Sequence, residues 1–125
     1  MINYSRFSLD NGLRVLVHED KSSPLVAMNI LYDVGSKDED PEMTGLAHLF
    51  EHLMFGGSVN IPEYDMPLQM VGGENNAFTN NDFTNYYLTI PSENIETGFW
   101  LESDRMLELN FSQKNLDAQR NVVIP

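Results

Sequence analysis

Cysteine is absent from the 125 residues of this chain. That excludes disulfides and thiolate metal sites, so any metal must be held by His, Asp or Glu. Positive charge is scarce. Seven Lys and Arg stand against nineteen Asp and Glu, a formal net charge of −12. A nucleic-acid duplex demands a basic surface, so nucleic acid is not an expected partner. The acidic excess reads first as a solubility device and second as a preference for basic or neutral peptides. Long apolar runs are also missing. None approaches the ~20 residues that cross a bilayer, so no membrane partner is expected. Met1 to Asp10 mixes polar and apolar types and lacks a signal-peptide core, which points to a cytoplasmic location. What remains is a foldable composition, 42% hydrophobic and 21% charged, enough for one domain with a core.

Patterning along the chain is mixed. Tyr4 to Leu9 and Leu13 to His18 have strand character, and the Asp10-Asn11-Gly12 segment between them is a hairpin signal. A third strand is predicted from Leu25 to Val34, with Pro24 just before it. Gly35 to Pro41 reads as an acidic loop. Thr44 is the predicted N-cap of a helix from Gly45, in which Leu46, Leu49, Phe50 and Leu53 recur at helical spacing before Gly56-Gly57. A short helix is predicted over Tyr64 to Val71, ended by Gly72-Gly73. Strands follow over Asn76 to Thr79 and Thr84 to Ile90. Ser92 is the predicted cap of a helix reaching Leu109, with an apolar stripe at Ile95, Phe99, Met106 and Leu107. A last helix is predicted from Gln113 to Val123. The expected class is α+β, a mainly antiparallel sheet with helices packed on one face. The apolar ending Val122-Val123-Ile124-Pro125 suggests a piece of something larger.

The chemistry concentrates in His48-Leu49-Phe50-Glu51-His52. Helix positions four apart lie one turn above each other, so His48 and His52 can offer two imidazoles to one ion, with Glu51 close to the same side. A catalytic zinc needs a third ligand and an open position for water. A nearby carboxylate can take the proton of that water and pass it to the leaving amine. In a shuffled chain of this composition the pattern arises by chance at roughly 0.4%. The bland alternative is an amphipathic helix whose histidines face water or a polar core. His18 reads as a strand-end surface residue.

A second feature is Gly72-Gly73-Glu74-Asn75-Asn76-Ala77-Phe78-Thr79, a glycine turn leading into a strand of small and amide side chains. Such a strand could hold an extended peptide by main-chain bonds, with Asn76 on a substrate carbonyl, or could be an ordinary sheet strand. Tyr86 and Tyr87 alternate across a strand, which buries one and leaves the other able to line a site. Glu93, Glu96, Glu102, Asp104 and Glu108 read as a solvated helix face.

At these residues the chain resembles the pitrilysin family of zinc peptidases, which includes insulin-degrading enzyme and the mitochondrial processing peptidase. His48-Leu49-Phe50-Glu51-His52 is the inverted H-x-x-E-H motif of the inverzincins. Gly45-Leu46-Ala47 and Leu53-Met54-Phe55-Gly56-Gly57-Ser58 extend the likeness. Asn76 to Thr79 with Thr84 to Tyr87 forms a second matching block, and Leu9 to Val15 a third. The resemblance implies that His48 and His52 bind zinc and that Glu51 activates water as the catalytic base. It implies that Asn76 and Ala77 lie on an edge strand beside the scissile peptide and that Tyr87 approaches the site. The fold implied is the N-terminal part of an α/β roll, so residues 1–125 would form a single incomplete domain. The implied partners are a peptide or unfolded-protein substrate and a second pitrilysin-like half or a homodimer mate. The third ligand of the family is a glutamate, expected immediately past Pro125, and Gln119 stands where many relatives carry an assisting glutamate. The parent protein is thus expected to be a zinc endopeptidase and this chain alone inactive. Two rivals remain: a non-catalytic peptide-binding or scaffold subunit, and a plain metal-binding module.

Overall fold

The computed structural model describes residues 1–123; the closing Ile124-Pro125 lies outside the described residues. Strands β1 (Ser5–Ser8) and β2 (Arg14–Val17) form an antiparallel hairpin of their own. Gly12, at φ 88°, supplies the left-handed turn residue, a conformation that costs glycine nothing. The second sheet contains β3 (Leu25–Tyr32), β4 (Glu74–Thr79) and β5 (Thr84–Pro91) in the order β3-β5-β4, antiparallel throughout. The predicted mainly antiparallel α+β class is therefore observed, with the strands divided between two sheets.

Alternation decides which side of the second sheet is covered. On the central strand β5, Tyr86, Leu88 and Ile90 are buried while Tyr87 and Thr89 are exposed. Val26 and Met28 of β3 join Leu88 and Ile90 in the core. Leu68 of α2 (Asp65–Met70) and Leu101 of α3 (Ile95–Leu107) close it from above. Leu68, Leu88, Ile90 and Leu101 are all but inaccessible. Helix α1 (Leu46–Leu53) lies on the same sheet face, burying Ala47, Leu49 and Leu53. Helix α4 (Gln113–Val123) packs on α1, within the predicted bounds.

Several expectations are corrected. The acidic segment is not a free loop: Ser36–Asp38 forms a 3-10 turn, closed by Asp38 accepting from the Gly35 N–H at 3.0 Å. A Cβ on Gly35 would stand 2.5 Å from the backbone oxygens of Asn80 and Asn81. Only glycine lets this segment close on the β4–β5 turn, where Ser36 and Lys37 N–H donate to those two oxygens. Ser92 does not cap α3; it opens a second 3-10 turn, and its N–H donates to Pro24 O. The buried stripe of α3 is Gly98, Leu101, Glu102 and Arg105, while Phe99, Met106 and Leu107 are exposed.

Glu102 is thus no part of a solvated face. Its carboxylate takes a bidentate bond from Arg105, at 2.9 Å from Nε and 2.7 Å from Nη2, and a bond from the Tyr64 hydroxyl. The guanidinium lies over the rings of Tyr64, Tyr86 and Phe55, at 4.2, 4.7 and 5.5 Å. Burial pushes the Tyr64 hydroxyl well above its ordinary range, partly offset by Arg105. It therefore stays protonated and able to donate to Glu102. A buried charge pair persists only when it is paired and hydrogen-bonded in this way.

Candidate metal centre and cleft

Helix α1 begins at Gly45, whose φ of 92° turns the chain into the helix, and no side chain at that position caps it. Thr44 does not serve as the predicted N-cap. Glu39 does the work from the preceding segment: Oε2 accepts from the Gly45 N–H at 2.8 Å and Oε1 from the Ala47 N–H at 2.7 Å. A carboxylate at a helix N-terminus satisfies otherwise orphan donors and meets the positive end of the dipole. The Ala47 and Gly45 N–H groups hold the Glu39 carboxyl below its ordinary value of 4.5.

Ala47, Leu49 and Leu53 are buried, and the flank of the helix between Ala47 and Leu49 carries Glu51, His48 and His52. The His48 ring is exposed, and Glu51 and His52 are half-buried. The two Nε2 atoms stand 3.2 Å apart. Two nitrogens on one tetrahedral zinc, each at roughly 2.0–2.1 Å, are separated by about 3.3–3.4 Å. The separation of the pair is close to that of two ligands on one zinc ion.

Helix α4 supports His52 from the other side. Ser112 Oγ accepts from the Asn115 N–H, Asn115 Nδ2 donates to Gly56 O, and the Phe111 ring meets Phe50 edge-on. This docking brings Gln119 Oε1 to 3.2 Å from His52 Nδ1. An amide oxygen can only accept, so His52 Nδ1 carries the proton and Nε2 keeps its lone pair toward His48. Among the described residues, no third His, Asp or Glu joins the two imidazoles in a group able to hold a metal.

Glu51 turns to the sheet, where its Oε2 accepts the Thr79 hydroxyl. A cleft of about 570 Å³ opens beside it, lined by His48 and Glu51 of α1, by Ala77 to Asn81, and by Ser36 and Glu39. Ala77 lines the cleft. Strand β4 is an edge strand, and there the Asn76 side-chain oxygen accepts from the Ala77 N–H at 2.8 Å. The Asn76 side chain and Tyr87 do not enter the cleft. They are register partners with Asn29 in one cross-strand row, on the open face of the sheet, because alternation sends them opposite to Ala77, Thr79 and Tyr86. His18 is exposed at the end of β2, its Nδ1 2.7 Å from Asn3 O. Sequence reasoning missed two cleft residues, Thr79 and Glu39. Thr79 shares the inward parity of Ala77, a signal that was available; Glu39 acts across a loop and left none.

An antiparallel α+β layer with two paired imidazoles on one helix turn and a carboxylate of that turn at a cleft has the arrangement of the inverted zinc-peptidase class. The chain belongs to the insulinase family (peptidase family M16), whose family model matches residues 14–125. It is 32% identical over 119 residues to the zinc protease PqqE of Helicobacter pylori (strain ATCC 700392 / 26695), covering 93% of this chain and 27% of that protein. It is 28% identical over 120 residues to the uncharacterized zinc protease YmxG of Bacillus subtilis (strain 168), covering 94% of this chain and 29% of that protein. The crystal structure of a protease from Helicobacter pylori superposes with a TM-score of 0.91 at 30% identity, covering 98% of this chain and 30% of that one. The chain thus spans less than a third of these relatives.

Proposed function

We propose that this chain supplies two zinc ligands, His48 and His52, and the general base, Glu51, of a zinc endopeptidase. The observation that carries the proposal is the 3.2 Å approach of two Nε2 atoms on the helix turn that also aims Glu51 into an open cleft. The third ligand would come from outside residues 1–125, on the glutamate that the family resemblance implies. Residues 1–125 would then be the front portion of the catalytic domain, inactive alone, and a second half of the same fold or a homodimer mate would face the cleft.

Bound zinc would polarise the scissile carbonyl and lower the pKa of the attacking water toward ~7. The protein groups do the rest. An extended peptide adds to the free edge of β4 by main-chain hydrogen bonds, with Ala77 at the cleft and Asn76 flanking it. The small Ala77 side chain lets the peptide backbone come close to Glu51. Oε2 of Glu51 is held by Thr79, leaving Oε1 to take the proton of the attacking water. The same oxygen then returns that proton to the leaving amine. Gln119 keeps His52 in the tautomer that presents Nε2.

Glu51→Gln in the complete enzyme tests this directly. A lost general base costs about 10²–10⁴-fold in turnover of a quenched peptide, with zinc content unchanged. Full activity in that variant would remove Glu51 from the chemistry. Bound zinc without any turnover in the unsubstituted enzyme would favour a peptide-binding subunit instead.

A further inference from the structure

Thr79 gives Glu51 a hydrogen bond from the sheet, and its own hydrogen bonding leaves it little choice of partner. Thr79 and Thr84 are cross-strand partners at the end of the β4–β5 hairpin. Thr84 is 5% exposed, and its hydroxyl donates to Val34 O at 2.9 Å. A threonine hydroxyl has a single proton. With that proton given to Val34, Thr84 can offer Thr79 only lone pairs. The Thr79 proton then has two acceptors in reach, Glu51 Oε2 and Thr84 Oγ1 at 3.4 Å. A carboxylate forms the shorter, stronger, charge-assisted bond. With the Thr84 proton on Val34 O and the Thr79 proton on Glu51, the two hydroxyls donate away from each other and Thr79 is left to the base.

We propose that Thr79 is a positioning residue for Glu51: held opposite Thr84 by strand register, it gives its only proton to Oε2 and pins that oxygen to the sheet so that Oε1 alone faces the cleft. This rests on Glu51 being the general base. The β-branched side chain of Thr79 is held in turn by its strand, since such side chains have few rotamers open to them. The fixture sits on the β4–β5 hairpin, where Thr79 closes β4 opposite Thr84 at the start of β5. A base fixed in this way keeps one orientation through proton uptake and release. Glutamate free to rotate would spend part of its time with neither oxygen at the water, and misplacing a reacting group by ~1 Å can cost on the order of 10²-fold.

The test compares Thr79→Val with Thr79→Ser in the complete enzyme. Valine keeps the branched shape and removes the hydroxyl; serine keeps the hydroxyl. Thr79→Val is expected to lower kcat by about 10–100-fold, with KM and bound zinc unchanged. Thr79→Ser is expected to recover most of that loss. A crystal structure of Thr79→Val should show the Glu51 carboxylate turned away from β4. Turnover of Thr79→Val within twofold of the unsubstituted enzyme overturns the inference. So does an equal loss in both variants, which would make packing the cause, or an unmoved Glu51 rotamer in Thr79→Val. Glu51→Gln, assayed alongside, separates the two claims. If it retains turnover, the base assignment itself fails and the inference falls with it. If it is inactive while Thr79→Val is normal, only the inference fails.

Discussion

Single residues around His52 illustrate how much of this site is made outside the motif. The H-x-x-E-H spacing was legible because helix geometry alone puts positions 48, 51 and 52 on one side. Gln119 was legible only as a family position. Its contact at 3.2 Å to His52 Nδ1 depends on how α4 docks, which no local pattern states. Partners that fix a metal-ligating histidine typically contribute 10–100-fold to metal affinity. Gln119→Leu in the complete enzyme is therefore expected to weaken zinc binding by at least about tenfold, read by competition with a chromogenic chelator. Unchanged affinity would show that the His52 tautomer is set elsewhere. The reverse error occurred at Glu102. Its charge suggested solvent, but a stripe of Gly98, Leu101, Glu102 and Arg105 at helical spacing is a buried one. Replacing Arg105 by Met strands the Glu102 carboxylate in the core, at a cost of about 3–5 kcal/mol. Removing both charges with Glu102→Leu and Arg105→Met should cost less than the single change. Denaturant melts of the two variants decide it, and a double variant no more stable than Arg105→Met alone would contradict the pairing.

At the scale of elements, helix α1 is short and its intrinsic stability small. It is held by burial of Ala47, Leu49 and Leu53 and by the Glu39 carboxylate on its first turn. Thr44 was the natural candidate by sequence because N-caps are normally local. The structure instead uses Gly45 for the turn and takes the cap from Glu39, six residues earlier. Loss of such a cap destabilises by about 0.5–2 kcal/mol, so Glu39→Ala should lower Tm modestly and reduce zinc affinity by loosening the motif turn. The sign with pH follows from the depressed carboxyl. Stability from Glu39 is fully present above its ordinary value of 4.5 and is lost as pH falls through the lower folded value. Glu39→Gln should flatten that part of the stability curve between those two values. An acid limb identical in the two proteins would show that Glu39 contributes nothing there. The strands, by contrast, were read almost to their ends, because period-two alternation and the Asn-Gly turn act within a few residues.

For the whole molecule, the fold class and the single covered face of the second sheet followed from sequence pattern. The division of strands between two sheets did not, since strand pairing between distant segments leaves no local trace. Tyr87 shows the same limit. Its neighbourhood matched the family block, yet its parity in β5 places it with Asn29 and Asn76 on the open face. Among the described residues, no helix is long and apolar enough to cross a membrane. In the proposed site, residues 1–125 contribute two ligands and a base to a zinc centre whose third ligand comes from elsewhere. Zinc stoichiometry after dialysis against a mild chelator, compared between the 125-residue chain and the complete enzyme, tests it most directly. About one zinc per complete enzyme is expected, and little or none on the 125-residue chain, because two imidazoles alone hold the ion weakly. One tightly held zinc on the 125-residue chain would mean that a residue within it completes the site, and would contradict the account.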